Sequence, residues 1–370
     1  MTQDELLQLI DQAAQEGWTE LDLSNQGLTE LPQAIGRLAA LEKLNLGYDR
    51  NKPGERNHLT TLPSEIGQLT TLQVLDLSEN NLTDLPPEIG RLTALQSLNL
   101  RYSNLMGLPP EIGRLIALRE IDLLSNEFRT LPSEIGQLAA LQSLILSGNY
   151  LKSLPPEIGR LAALTNLELR FNILTALPPE ICQLTTLQTL DLYGNNLGTF
   201  PPGIGQLTAL RKLNLGRNHL TALHPEIGQL TALRELNLEE NNLKTIPLEF
   251  GQLATLQSLG LRRNHLTTLP PEIGRLTNLC KLDLSRNRLT VLPPEVGQLT
   301  ALQSLRLGGN SLIALPLKIG QLTALRELDL SGNRVTTLPP EIGQLTALQS
   351  LNLDANRLAA LPPEISLLSA

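Results

Sequence analysis

LRELDLSGNRVTTLPPEIGQLTA, residues 325–347, is the cleanest copy of a 23-residue unit that fills most of the chain. Apolar residues stand at its positions 1, 4, 6, 11, 14, 18 and 21, and Asn333 stands at position 9. Leu328 and Leu330 alternate with Glu327, Asp329 and Ser331, the period of two of a half-buried strand. Asn333 then turns the chain, because a short amide satisfies backbone groups at a corner where an apolar side chain cannot. Pro339-Pro340-Glu341 starts a short helical turn: proline is pre-set for the first helical position and an acid suits the positive helix end. Gly343 reads as the residue that ends it. The unit is strand, corner, helical turn and return, one coil of a solenoid. A single coil buries too few side chains to offset its ordering entropy, so the stacked array is the folding unit.

Working outward, the coils begin at Trp18, Leu41 and Leu72 and then every 23 residues to Leu348, fifteen in all. The corner asparagine recurs in thirteen of them, and Gln26 and Ser103 take its place in coils one and four. Both replacements still hydrogen-bond, so local loosening is expected at these corners. The second coil is longer by eight residues, inserted in GYDRNKPGERN, residues 47–57. This polar stretch turns at Pro53-Gly54 and reads as a surface loop or as a partner contact. Residues 1–17 break the pattern. Thr2 and Glu5 form a capping box, and Leu6, Ile10 and Ala13-Ala14 make a helical stripe that would cover the first coil, with Gly17 ending the helix. The domains are therefore a capping helix, 1–17, and a repeat domain, 18–370.

The pattern LxxLxLxxNxLxxLPxEIGxL identifies residues 18–370 as resembling leucine-rich repeat proteins. The resemblance implies an α/β solenoid, a leucine-rich repeat horseshoe of fifteen repeats with a parallel concave sheet and short helical turns on the convex side. The LPxEIGxL variant is similar to the intracellular 23-residue class of Ras-binding leucine-rich scaffolds, their plant relatives and bacterial Roco proteins. The opening AAQEGWTELDLSNQGLTELP resembles the start of Roco repeat domains, where a Ras-like GTPase domain follows the repeats. This chain departs from that pattern by ending at Ala370, and no GKS or GKT of a phosphate-binding loop occurs in it.

Chemistry is excluded on several grounds. His58, His219 and His265 occupy position 10 of separate coils, and His224 stands apart from them. Cys182 and Cys280 lie five coils apart, roughly 25 Å at about 4.8 Å per strand, beyond disulfide reach. No metal, cofactor or catalytic set emerges, and the expectation is a non-enzymatic protein. Net charge is −8, which argues against nucleic acid and anionic membranes as partners. The acidic start and unpaired cysteines point to a cytoplasmic location.

Function then rests on the positions that the repeat leaves free: 2, 3, 5, 7 and 8. Against a background of Gln, Ser, Thr, Asp and Asn, the residues Arg101, Tyr102, Leu124, Ile145, Arg170, Phe171 and Tyr193 stand out in coils four to eight. Tyr and Arg anchor interfaces, and exposed Leu, Ile and Phe in adjoining layers make an apolar contact patch. Phe128, Phe200 and Phe250 fall on core positions and need no such role. A second, charged region comprises Arg217, Arg262, Arg263, Lys281, Arg286 and Arg306 beside Glu235, Glu239 and Glu240, and reads as a self-compensating solvated face. The expectation is a protein-binding scaffold using its concave face, with the resemblance naming a small GTPase or its regulator as a partner. The alternatives are the regulatory repeat region of a Roco-type GTPase, and a structural module self-associating through the apolar edge of the last coil.

Overall fold

The computed structural model describes residues 1–368 of the 370-residue chain. The chain divides into two compact units, Met1–Leu187 and Gln188–Ala370, each built from the same coil. Among the described residues there are fifteen three-residue strands, and within each unit they pair in parallel in the order of the chain. Seven of them, from Glu20–Asp22 to Asn166–Glu168, belong to the first unit and eight, from Thr189–Asp191 to Ser350–Asn352, to the second. Register is identical wherever strands pair: Leu21 faces Leu44, Leu98 faces Ile121, and Leu282 faces Leu305. Like residues stack on like, so each leucine column is a continuous buried ridge. Leu75, Leu77, Leu82, Ile89 and Leu92 of one coil are all 0% exposed.

The corner asparagines bind the coils to one another. Asn218 accepts from the Leu197 amide (3.0 Å) and donates to the Leu192 carbonyl (3.0 Å) of the preceding coil and the Leu215 carbonyl (3.1 Å) of its own. Asn149 repeats the pattern with Phe128, Leu123 and Leu146. Ser103 is the exception: its buried hydroxyl makes no hydrogen bond among the described residues, contrary to expectation. It is too short to span to the neighbouring coil, and the Leu82 amide loses the asparagine acceptor that its counterparts have. Gln26, the other replacement, donates to the Ser24 carbonyl (3.1 Å).

The helical turns are five-residue 3-10 turns such as Pro340–Gln344. Gly343 does not end its turn, as the sequence suggested, but lies inside it and is buried. The reason is packing between coils. A Cβ at Gly90 would stand 2.6 Å from the Glu111 carbonyl oxygen of the next coil, and the same close approach recurs at Gly136 and Gly228. Cys182, at the equivalent position of coil seven, is also buried, and burial raises its thiol pKa, with Glu180 adding to the effect.

The first helix, α1, spans Gln3–Glu16 with the expected capping box and Gly17 left-handed at its end (φ 67°). Leu6, Ile10 and Ala13 are buried, and Arg37 of the first coil pairs with Asp11 at 2.6 Å. In the last coil the apolar face is less covered: Leu351, Leu353, Leu358 and Ile365 are half-buried. The insertion is exposed from residue 50 to residue 56, but it is tethered at several points. It folds back as a strap: the Asn25 amide donates to the carbonyls of Asp49 (2.7 Å) and Lys52 (2.8 Å), and Lys52 pairs with Asp22. Arg56 stacks 4.6 Å over Tyr48 and pairs with the buried carboxylate of Glu79 at 2.9 Å.

Two stability effects follow from this architecture. Asn218→Ala should cost on the order of 3 kcal/mol, about 1 kcal/mol for each of three backbone groups left unpaired, whereas Ser103→Asn should raise the melting temperature by restoring a missing rung. Thermal and urea unfolding read both, and an unchanged midpoint for Asn218→Ala would contradict the role given to the amide. Arg56→Ala should cost about 1–3 kcal/mol by leaving the buried Glu79 carboxylate only its longer contact with Arg50 (3.8 Å), and adding Glu79→Gln should recover part of that loss. Additive losses in the double variant would show the pair to be uncoupled.

Candidate protein-binding surface

The surface begins with the residue that closes each strand. Asp or Asn at position 5 accepts a hydrogen bond from the amide at position 7, as in Asp76 to Ser78 (2.8 Å) and Asp122 to Leu124 (2.9 Å). This Asx turn ends the strand and presents the side chain at position 7. The next amide bonds across to the following coil, Tyr102 to the Leu124 carbonyl (2.7 Å) and Ser125 to the Ser147 carbonyl (2.8 Å). Position 8 is thereby held in the left-handed region: φ is 53° at Tyr102, 56° at Ser125, 70° at Gly148 and 51° at Phe171. Tyr102 and Phe171 are thus not exposed strand residues, as the sequence suggested, but turn residues lifted off the strand end. Left-handed backbone costs a bulky L-residue about 1–2 kcal/mol, which two aromatics sustain here.

The structure assembles six of the seven predicted residues in the first unit. Tyr102 (45% exposed) and Phe171 (49% exposed) stand three coils apart, about 14 Å at strand spacing. Small residues, Ser125 and Gly148, occupy position 8 between them, so no large side chain stands there between the two rings. Leu124 and Ile145 are half-buried on the two intervening coils. The Arg170 guanidinium lies 5.7 Å over the Phe171 ring. Arg101 is half-buried, with its buried Nε lacking a hydrogen bond. Burial raises the Asp122 pKa above the ordinary aspartate value, against the Leu124 amide and the Arg101 guanidinium, which lower it. Tyr193, the seventh residue, belongs to the second unit, where its ring approaches Gly216 closely enough that a Cβ there would lie 2.8 Å away.

A lateral groove on the first unit was missed from the sequence. Met106 (63% exposed), Tyr150 (55% exposed) and Ile173 line a hollow of about 320 Å³ with Glu127, Arg129 and Lys152 at its rim. Its signal was legible: apolar residues at position 10 of two adjacent coils, Tyr150 and Ile173, and a methionine at position 12, where most other coils carry polar residues. The charged region of the second unit is compensated only in part. Arg263 pairs with Glu240 (2.6 Å), Lys212 with Glu235 (3.1 Å) and Arg306 with Glu327 (3.1 Å). His224 meets the Thr199 hydroxyl (3.2 Å) and the edge of Phe200, a packing role. Among the described residues no group of three His, Cys, Asp or Glu is placed to hold a metal, both cysteines are free, and no helix is long and apolar enough to cross a membrane.

Stacked parallel strands, 3-10 turns and an asparagine column define a repeat protein of the leucine-rich class. The profile of the leucine-rich repeat region matches residues 54–126, 157–247 and 237–333, that of paired leucine-rich repeats residues 323–365, and that of the single repeat residues 140–161. The chain belongs to the leucine-rich repeat family. It is similar in structure to a leucine-rich repeat protein of Leptospira interrogans, with 44% identity over 96% of this chain and 94% of that one and a TM-score of 0.83. It is also similar to the leucine-rich repeat ectodomain of the Arabidopsis thaliana membrane receptor kinase GASSHO1/SCHENGEN3, solved in complex with CASPARIAN STRIP INTEGRITY FACTOR 2. That match has 32% identity over 94% of this chain and 46% of the other, with a TM-score of 0.70. A plant peptide hormone receptor, RGFR1 in complex with RGF2, matches at 30% identity over 93% of this chain and 69% of that one, with a TM-score of 0.64. Comparison with curated proteins finds no match.

Asp122 gives this surface a measurable electrostatic signature. A carboxyl raised on folding penalises the fold fully above its folded pKa, and the penalty fades as pH falls towards the unfolded value of roughly 3.9. Asp122→Asn keeps the Leu124 hydrogen bond, so it should raise the melting temperature at pH 7 and lose that advantage towards pH 4. Equal gains at both pH values would remove burial as the cause.

Proposed function

We propose that this protein is a cytoplasmic, non-enzymatic scaffold that binds a protein partner on the strand face of its repeats. Leucine-rich repeat proteins are in general non-enzymatic binding scaffolds, and two of the similar structures are held in complex with protein ligands. The observation that carries the choice of surface is the pair of half-exposed aromatics, Tyr102 and Phe171, at position 8 on either side of the small residues Ser125 and Gly148. Folding gains nothing from bulky residues there, whereas a partner's apolar side chain gains two anchors flanking Leu124 and Ile145. Arg101 and Arg170 supply the polar contacts of the rim. A strip of this length holds an anchor cluster, and the polar strand positions around it complete a standard interface.

The partner class suggested by the sequence resemblance is a small GTPase or its regulator, consistent with a repeat region that acts in signalling beside, or as part of, a Roco-type GTPase. The half-buried leucines of the last coil favour self-association as a second mode of assembly.

The double change Tyr102→Ala and Phe171→Ala should leave the melting temperature nearly unchanged, because both side chains are about half exposed. It should weaken binding of the partner recovered by affinity capture by at least about thirtyfold, the equivalent of about 2 kcal/mol. Undiminished affinity in the folded double variant would move the interface to the lateral groove of Met106, Tyr150 and Ile173.

A further inference from the structure

The second unit carries a separate hollow of about 600 Å³ on its strand face, lined from coils eleven to fourteen. Glycine makes it. Gly308, Gly309 and Gly332 stand at positions 7 and 8, where the aromatic surface of the first unit carries Arg, Leu, Tyr and Phe. A Cβ on Gly308 would sit 2.8 Å from an Asp329 carboxylate oxygen and 2.9 Å from the Ser331 hydroxyl, so a side chain there would crowd the floor. The volume falls within the range of about 300–1,000 Å³ typical of ligand sites.

The charges around this floor are unevenly satisfied. Arg306 is held by Glu327 through two contacts, Nε to Oε1 at 3.1 Å and Nη2 to Oε2 at 3.3 Å, and Ser304 braces the same carboxylate at 2.9 Å. Asp283 and Asp329 close Asx turns on the amides of Ser285 and Ser331, both at 2.9 Å. Arg262 and Arg286, on adjacent coils at the rim, pair with no carboxylate among the described residues. A second hollow of about 290 Å³ shares Asp283, Arg306 and Glu327 with the first and continues past Gly260 and Lys281. The depression is therefore an elongated trough with two available guanidiniums at one side and fixed carboxylates along its length.

We propose that this trough binds an extended peptide segment through a carboxylate, which Arg262 and Arg286 clamp while the peptide backbone lies on the glycine floor. Guanidinium groups form bidentate, charge-assisted hydrogen bonds with carboxylates, and glycine permits the close approach of another backbone. Asp283 and Asp329 accept from the N–H groups of such a segment. The same two aspartates, with Glu327, repel a polyanion, which separates this site from one for nucleic acid or phosphorylated lipid. It goes beyond the aromatic surface already described, because it lies in the other unit and selects a charged ligand.

The test uses the full chain and a displayed library of random nine-residue peptides. Binders selected on the wild-type protein should be enriched in Asp or Glu. Remade synthetically, each should lose at least tenfold in affinity when that acid becomes Asn or Gln, and at least tenfold on the Arg262→Ala, Arg286→Ala double variant. Amidated and free-acid forms of each peptide distinguish a side-chain carboxylate from a chain terminus. The Tyr102→Ala, Phe171→Ala variant should bind the same peptides unchanged, which keeps this site distinguishable from the aromatic one. Both arginines are at least partly exposed, so the variant should melt with the wild type. A selection that yields no binder dependent on Arg262 and Arg286 overturns the proposal.

Discussion

Everything in this molecule depends on a buried primary amide. Each corner asparagine offers one acceptor and two donors at the point where the backbone must leave the strand, and it spends them on its own coil and the one before. The Asn218 contacts with Leu192, Leu197 and Leu215 show why no other side chain serves as well. Serine is too short, as the unpartnered Ser103 hydroxyl shows, and an aliphatic chain would leave several backbone groups without partners in a dry interior. Leucine burial supplies the driving force for stacking. The amide sets the one register in which stacking leaves no orphan groups.

That constraint explains why the surface is so free to vary. Once positions 1, 4, 6, 9, 11, 14, 18 and 21 are committed to the interior, the side chains at 3, 5, 7 and 8 face outward in columns one strand spacing apart. A single substitution then changes one point of a regular lattice, and neighbouring substitutions add into a patch without disturbing the core. The two units use this differently. In the first, aromatics at position 8 flank small residues and half-buried aliphatics. In the second, glycines at positions 7 and 8 sink the lattice below a rim of arginines.

The insertion in coil two follows the same logic at a different scale. Eight extra residues leave the lattice at residue 47 and rejoin it at Asn57, whose amide still donates to Leu23 and Leu46 as any corner asparagine would. The excursion is held by the Asn25 amide and by the buried Glu79 carboxylate, groups that belong to its neighbours. Its Lys52 reaches back to Asp22 at the end of the first strand.

The fold was legible in the sequence almost completely, because it is set by a period that each coil states in full: seven apolar positions, one amide, and a proline-led turn within 23 residues. The capping helix was legible for the same reason, since the Thr2–Glu5 box and the Leu6–Ile10 stripe are local signals. Six of the seven predicted surface residues lie together in one unit because equal spacing in sequence becomes equal height in the sheet. What only the tertiary structure decided depends on contacts 21 to 34 residues away in the chain. Position 8 is left-handed because its amide bonds to the next coil, Gly343 is needed for a carbonyl of the next coil, and the strap is anchored to Asn25 and Glu79. Which arginines keep a carboxylate partner is likewise a property of neighbouring coils: among the described residues Arg263 and Arg306 are paired while Arg262 and Arg286 are not, although all four read alike in the sequence. A local pattern specifies how one coil folds, and the chemistry of its surface is set by the coils stacked on either side.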